Sequence, residues 1–135
     1  VLFSALAGCG LMLREPQVPM ATIALPSSPA ARSQTLIVFM PGAQEVPQDI
    51  VREGFVAQVR ARGIDADVVV ADAHLGYFYS GMFEQRLHED VIRPARAQGY
   101  RSIWLAGDNT MASALGAGPD RSATAGTSPC RRSRG

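Results

Sequence analysis

The sequence predicts an α/β protein with a parallel sheet, because strand-like and helix-like segments alternate through its central part. Three short apolar runs without polar alternation, at 35–40, 67–71 and 102–106, are typical of strands buried on both faces. The segments between them, 48–62 and 81–98, carry apolar residues at steps of three and four, as amphipathic helices do. This order predicts two crossover units, and therefore a three-layer β-α-β-α-β core.

The first nine residues have the character of a targeting segment. Residues 1–8 are apolar and small, and Leu6-Ala7-Gly8-Cys9 resembles the lipobox of bacterial lipoproteins. That resemblance implies a lipid on the Cys9 thiol and a place in the cell envelope. The alternative is a frayed apolar N-terminus in a cytoplasmic protein. A spanning helix is not predicted, because Arg14 and Glu15 interrupt the run far short of about 20 apolar residues.

Residues 10–34 read as a linker rich in proline and serine. Its prolines disfavour helix and strand alike. Such a tether suits a lipid-anchored domain held away from a membrane. The strand-like piece 21–25 leaves two alternatives open: part of the linker, or a strand at a sheet edge.

The folded domain is predicted to span 35–107. The first strand ends at Pro41-Gly42, and the first helix ends before Gly63. After the second strand comes a loop, 72–79, rich in aromatic and polar residues. Pro94 is expected to kink or split the second helix, since it removes a backbone donor and crowds the preceding turn.

Residues 108–135 are predicted to be a disordered tail, because glycine, alanine, serine, threonine, proline and arginine dominate them. The net charge of the chain is only +1, which gives no electrostatic argument for a nucleic-acid partner. Cys9 and Cys130 lie near opposite ends, and neither sits in a metal-ligand spacing. No metal and no cofactor is expected.

Four segments together resemble the first half of an α/β-hydrolase of the bacterial esterase-like kind: Leu36-Ile37-Val38-Phe39-Met40-Pro41-Gly42, Asp72-Ala73-His74-Leu75-Gly76-Tyr77, Leu87-His88-Glu89-Asp90-Val91-Ile92-x-Pro94, and Tyr100 to Gly107. The resemblance covers about half of the chain. It implies that the strand ending at Gly107 leads to the nucleophile turn, Gly-x-Ser-x-Gly. Counted from Gly107, the serine position holds Asn109 and the closing glycine position holds Met111.

The resemblance also implies an oxyanion hole and a cleft. Backbone amides at Ala43 and Thr110 are the candidates for the hole, and Gly42 and Gln44 are candidates for the cleft. An ordinary turn after a buried strand is the alternative for 41–44.

Asp72, His74 and Tyr77 are candidates for the cleft wall. His74 beside Asp72 also invites a general-base role. In the family, however, the catalytic histidine follows the nucleophile, so His74 is interpreted as a polar residue at the cleft mouth.

By resemblance, the function is hydrolysis of carboxylic esters by acyl transfer. This chain lacks the serine, and no histidine follows Asn109, so inactivity is expected. The abrupt change of composition after Gly107 indicates a frameshift in the gene, with a genuine divergent tail as the rival explanation. The second functional class is a non-catalytic α/β lipoprotein that binds a ligand in the same cleft.

Overall fold

A computed structural model describes residues 13–42 and 44–107. From 35 onward its strands and helices alternate as the sequence predicts, but the prediction of a loop over 72–79 is wrong for 75–79, which form a short helix whose start is capped by His74. In chain order the elements are β1 (Thr22–Leu25), β2 (Thr35–Met40), α1 (Pro47–Arg52), α2 (Phe55–Ala61), β3 (Asp67–Ala71), α3 (Leu75–Tyr79), α4 (Phe83–Leu87), a π-helical turn (His88–Ile92), α5 (Arg93–Ala97) and β4 (Ser102–Gly107).

The four strands form one sheet in the order β1-β3-β2-β4. β2 is parallel to β3 on one side and to β4 on the other. The α/β class is therefore confirmed, but the prediction of a purely parallel sheet is wrong. β1 pairs antiparallel with β3, Ile23 lying opposite Val70. The strand-like piece of the proline-rich segment thus satisfies the outer backbone groups of β3.

Helices cover both faces of the sheet. On one face, Leu36, Val38 and Met40 of β2 pack in a cluster with the apolar side chains of α4, the π turn and α5. On the other face, Val68 and Val70 of β3 pack with residues of α1 and α2. The alternation follows from the two-residue period of a strand, which sends successive side chains to opposite faces.

The predicted helix 48–62 is two short helices. α1 ends at Arg52, and Gly54 takes a left-handed conformation with φ of 84° before α2 begins at Phe55. A left-handed residue cannot continue a right-handed helix, and glycine adopts it without a Cβ clash. The sequence prediction missed this break because the apolar spacing continues across it.

Pro94 interrupts the second helix as its chemistry predicts. It lies in the first turn of α5 and is preceded by the π-helical turn His88–Ile92. At the end of that turn the Arg93 amide donates to the His88 carbonyl, five residues back. The wider turn accommodates a residue that has no amide hydrogen to give.

β4 is less buried than the sequence predicts. It forms an edge of the described sheet, and its residues alternate between exposed and half-buried. Trp104 leaves 49% of its surface exposed. The expectation of a strand buried on both faces is therefore wrong for the part of the chain that the structure describes.

Candidate functional site

Three candidate segments lie at the same end of the parallel strands. β2, β3 and β4 run in the same direction, so the turn after Met40, the turn after Ala71 and the end of β4 lie at their shared carboxyl ends. Met40 and Gly107 are direct partners in the ladder. Crevices at the carboxyl ends of such strands are where open α/β sheets usually bind ligands.

The turn after β2 is closed by a carboxylate. The Gly42 amide donates to Oε2 of Glu45 at 2.7 Å, and the Glu45 amide donates to the Gly42 carbonyl at 3.1 Å. Gln44 is exposed in the same turn. An acyl oxyanion that used the Gly42 amide would have to displace Glu45. Ala43 lies outside the described residues.

Asp72 follows β3 and is held by a cation from the N-terminal part of the chain. Arg14 donates to both carboxylate oxygens, at 2.8 and 3.0 Å, and also to the Glu45 carbonyl at 3.2 Å. One guanidinium therefore joins the turn after β2 to the turn after β3. Its planar set of donors suits this two-oxygen contact.

His74 is buried, and it caps the start of α3. Its Nδ1 accepts from the Gly76 amide at 3.1 Å, and its ring lies 4.7 Å from that of Tyr77. Burial, with the nearby Arg14 charge, lowers the pKa of His74. The geometry requires a neutral ring with its proton on Nε2. Among its described contacts, His74 therefore acts as a helix cap.

Tyr77 binds the backbone of the N-terminal segment. Its hydroxyl donates to the Gln17 carbonyl at 2.8 Å and accepts from the Gln17 amide at 3.0 Å. Burial raises the pKa of Tyr77, so the hydroxyl keeps its proton for this pairing.

A second contact of the N-terminal segment is made by Met20. Its amide donates to Oδ2 of Asp90 at 2.8 Å, and its side chain is buried.

We call residues 14–20 the strap. The strap lies over α3, because a Cβ on Gly76 would come within 1.9 Å of the Arg14 carbonyl oxygen. The prediction of a tether held away from the domain did not anticipate this packing. Gln17 and Met20 make these contacts through backbone groups, so their residue types carry no signal of the packing.

A second polar cluster lies at the opposite end of β3. Asp67 accepts hydrogen bonds from the Ser27 amide and hydroxyl, the Ser33 amide and the Tyr100 hydroxyl. A shallow cleft of about 360 Å³ opens beside it, and Arg32 lies over the Tyr100 ring at 5.5 Å. The charged groups of this cluster already have partners. Asp67 accepts the four hydrogen bonds named above, and Arg32 donates to the Gln98 carbonyl at 2.9 Å.

Three further observations concern the described ranges 13–42 and 44–107. Within them, no group of three or more acidic, histidine or cysteine side chains is arranged to hold a metal. No helix there is long and apolar enough to cross a bilayer. Cys9, Asn109 and Thr110 lie outside these ranges.

Comparisons of the chain with protein-family models, with characterised proteins and with solved structures found no match. The function is therefore argued from the site itself.

Proposed function

We propose that this chain carries the first half of an esterase-like α/β-hydrolase, with the ester site at the carboxyl ends of the parallel strands. The observation that carries the proposal is the pairing of β4 with β2, which sets Gly107 beside Met40. An oxyanion hole of this type needs two amides on one oxygen: one after the nucleophile, and one from the loop of another strand. Adjacent strands bring the two turns together.

That adjacency does not follow from the order of the strands in the sequence. β3 lies between β2 and β4 along the chain, yet β2 is central in the sheet and β4 joins it on the side away from β3. Had β4 paired beyond β3, a whole strand would separate the Gly42 turn from the end of β4. The arrangement supports a site built from the 41–46 turn and residues that follow Gly107.

We propose further that this chain does not turn an ester over. The nucleophile position holds Asn109, whose carboxamide cannot form an acyl-enzyme. His74 and His88 both precede it in the sequence, and the described Nδ1 of His74 is used in capping α3. A hydroxyl nucleophile without a base is a weak one.

The test has two arms. Purified protein is assayed on short p-nitrophenyl esters beside an Asn109→Ala variant, and the two should give the same background rate. The DNA downstream of the Gly107 codon is then read in its other frames, where the proposal requires a Gly-x-Ser-x-Gly turn followed by a late Asp and His. Early stops in both other frames would remove the support for a hydrolase.

A non-catalytic binding protein is the second candidate, and one observation favours it. The polar groups at the candidate site are paired with each other, Gly42 with Glu45 and Asp72 with Arg14. A site prepared for acyl transfer usually keeps its oxyanion donors available. Calorimetric titration with a non-hydrolysable ester analogue distinguishes the two: binding weakened by Glu45→Ala favours a closed recognition site, and binding strengthened by it favours an oxyanion site.

An envelope location through Cys9 remains part of the proposal. The docked strap leaves residues 10–13 between Cys9 and Arg14, a reach of about 18 Å at most. A lipid on Cys9 would thus hold the site close to the bilayer instead of far from it. Detergent partitioning of wild-type protein and Cys9→Ala, each expressed with its native upstream region, tests the anchor. Equal recovery in the aqueous phase would refute it.

A further inference from the structure

The two edges of the described sheet differ in how well they are protected. β1 is four residues long, and Pro26 follows it directly. β4 is six residues long, Ser-Ile-Trp-Leu-Ala-Gly, and carries neither a charge nor a proline. Short strands, prolines and charges are the usual devices that stop a sheet edge from pairing with another chain. β4 has none of them.

Alternate residues of β4 direct their backbone groups away from β2. The Ser102 amide donates to the carbonyl of Gln34, the residue before β2, at 3.2 Å. The backbone N–H and C=O of Ser102 therefore point toward β2. The alternation along a strand then turns the N–H and C=O of Ile103 and Leu105 to the outer edge. Within the described ranges, no strand lies along that edge.

The exposed side chain of this edge is the large Trp104. It pairs with Ile37 of β2 and lies on the same face of the sheet as α1 and α2. Those two helices pack over β3, not over β4. An exposed tryptophan on a chargeless edge strand combines unpaired backbone groups with apolar surface. Another strand would pair the backbone groups and bury the apolar surface, and both changes stabilise the assembly.

We propose that a second copy of this chain pairs along β4 in antiparallel orientation, with Trp104 opposite Trp104 of the second copy. A two-fold axis perpendicular to the sheet keeps equivalent faces on the same side. Centred on Trp104, it lets Ile103 and Leu105 exchange backbone hydrogen bonds in both directions. The two indole rings then form a cross-strand aromatic pair.

Charge and composition favour a second copy over other occupants. β4 has no charged side chain, so pairing with itself opposes no like charges within the strand. Residues 108–135 contain only Met111 and Leu115 as large apolar residues, whereas a second β4 brings Ile103, Trp104 and Leu105 within three consecutive positions. Because β1 is protected, pairing through β4 closes at a dimer.

The contact is small, so the dimer should be weak. A six-residue strand is about 20 Å long, and pairing of edges alone lies at the low end of specific interfaces. Self-association should therefore depend on concentration between about 1 μM and 1 mM.

The test uses the full chain in reductant, which excludes disulfides through Cys9 or Cys130. Sedimentation equilibrium measures the mass, and tryptophan emission measures burial of Trp104, the single tryptophan of the chain. A monomer–dimer equilibrium accompanied by a blue shift over the same concentrations is expected. A monomer at every concentration would overturn the proposal, and an emission already blue-shifted in that monomer would show that Trp104 is covered within its own chain.

Charge variants test the register. Trp104→Lys and Trp104→Glu each place like charges opposite one another and should weaken self-association at least about tenfold. Mixing the two should restore a dimer, because Lys then faces Glu. Ile64→Lys is the matched control, since Ile64 is similarly exposed, at 45%, but lies outside the sheet. A dimer that Trp104→Lys leaves intact, or that the mixture fails to restore, would refute this pairing.

The variants should keep the wild-type circular dichroism spectrum, which shows that a loss of dimer is not a loss of fold. The proposal does not depend on the proposed function, since it requires no ester site. Failure of the esterase test leaves the dimer standing, and the reverse also holds.

Discussion

Two aspartates, one at each end of β3, are held by different kinds of contact. Asp67, its first residue, is 3% exposed and accepts hydrogen bonds from Ser27, Ser33 and Tyr100 at 2.7 to 3.2 Å. These donors are backbone amides and hydroxyls in fixed places. Burial alone would raise the pKa of Asp67, but the hydrogen bonds outweigh it and hold that pKa below its usual range.

Asp72, just beyond the other end of β3, depends on a single long side chain. Arg14 contacts both of its oxygens, while 42% of the arginine side chain stays exposed. A mobile cation can leave such a contact at little cost, whereas four fixed donors cannot leave Asp67 without losing their own partner. The amino end of β3 therefore fixes the fold, and the carboxyl end, where ligands bind in such sheets, remains adjustable.

Loss of the Asp67 carboxylate should give the largest effect. Asp67→Asn should lower the free energy of unfolding by about 3 kcal/mol, because an amide cannot accept from all the donors around it. Asp65→Asn, an exposed aspartate two residues earlier, is the control and should change little. Urea denaturation at neutral pH measures both.

The lowered pKa of Asp67 adds a dependence on pH. Its stabilisation is complete above the unfolded value of about 4 and is lost as the pH falls below it, because the unfolded chain then binds the proton more strongly. Wild-type stability should fall more steeply below pH 4 than that of Asp67→Asn. If the free energies of unfolding of the two proteins fall in parallel below pH 4, the hydrogen bonds do not hold the pKa of Asp67 low in solution.

Gly76→Ala should release the strap at the adjustable end. The new Cβ would meet the Arg14 carbonyl oxygen at 1.9 Å and the His74 ring at 2.8 Å. We expect a loss of about 1–3 kcal/mol and faster tryptic cleavage after Arg14. Gly63→Ala is the control, since nothing lies within 4 Å of its Cβ and only backbone strain should result. Unchanged cleavage at Arg14 in Gly76→Ala would show that the strap is not held over α3.

Charge reversal at Arg14 should give a smaller effect. Arg14→Glu should cost about 0.5–1 kcal/mol, because an ion pair with an exposed partner contributes little. Combining it with Asp72→Arg should recover most of the loss, and a double-mutant cycle measures the coupling. If the double variant is as destabilised as the sum of the single ones, Arg14 and Asp72 do not interact in solution.

The strands and helices could be predicted from sequence because their signals are local. The apolar runs at 35–40 and 67–71 and the helical spacing between them need no knowledge of distant residues. Gly54 was missed for a physical reason: glycine permits a left-handed break but does not require one. The exposure of Trp104 was missed because an apolar run shows what can be buried, not which neighbours are present.

The site was less predictable because its contacts are distant in sequence. Arg14 and Asp72 are 58 residues apart, and Met20 and Asp90 are 70 apart. Proline-rich composition predicts the absence of helix, and that was compatible with a docked strap as well as with a linker. Asp72, His74 and Tyr77 are near one another in sequence, and the His74 ring lies 4.7 Å from that of Tyr77; their place in a cleft wall stays a prediction. Their contacts with the strap had no sequence signature.

The smallest expected effect is a dependence of strap stability on the charge of His74. Burial and the Arg14 charge lower the pKa of His74 in the folded chain, and its Nδ1 must stay unprotonated to accept from Gly76. Between the folded and unfolded pKa values the unfolded chain binds more protons. The contribution of His74 is therefore complete above about pH 6.5 and is lost as the pH falls below it. Tryptic cleavage after Arg14, at constant trypsin activity, should accelerate modestly from pH 7.5 to 5.5. His74→Asn is the matched control, because asparagine caps a helix without titrating, while His88 remains as an exposed histidine. If His74→Asn shows the same acceleration, the proton that loosens the strap is bound elsewhere, and the adjustable end of β3 does not respond to pH through His74.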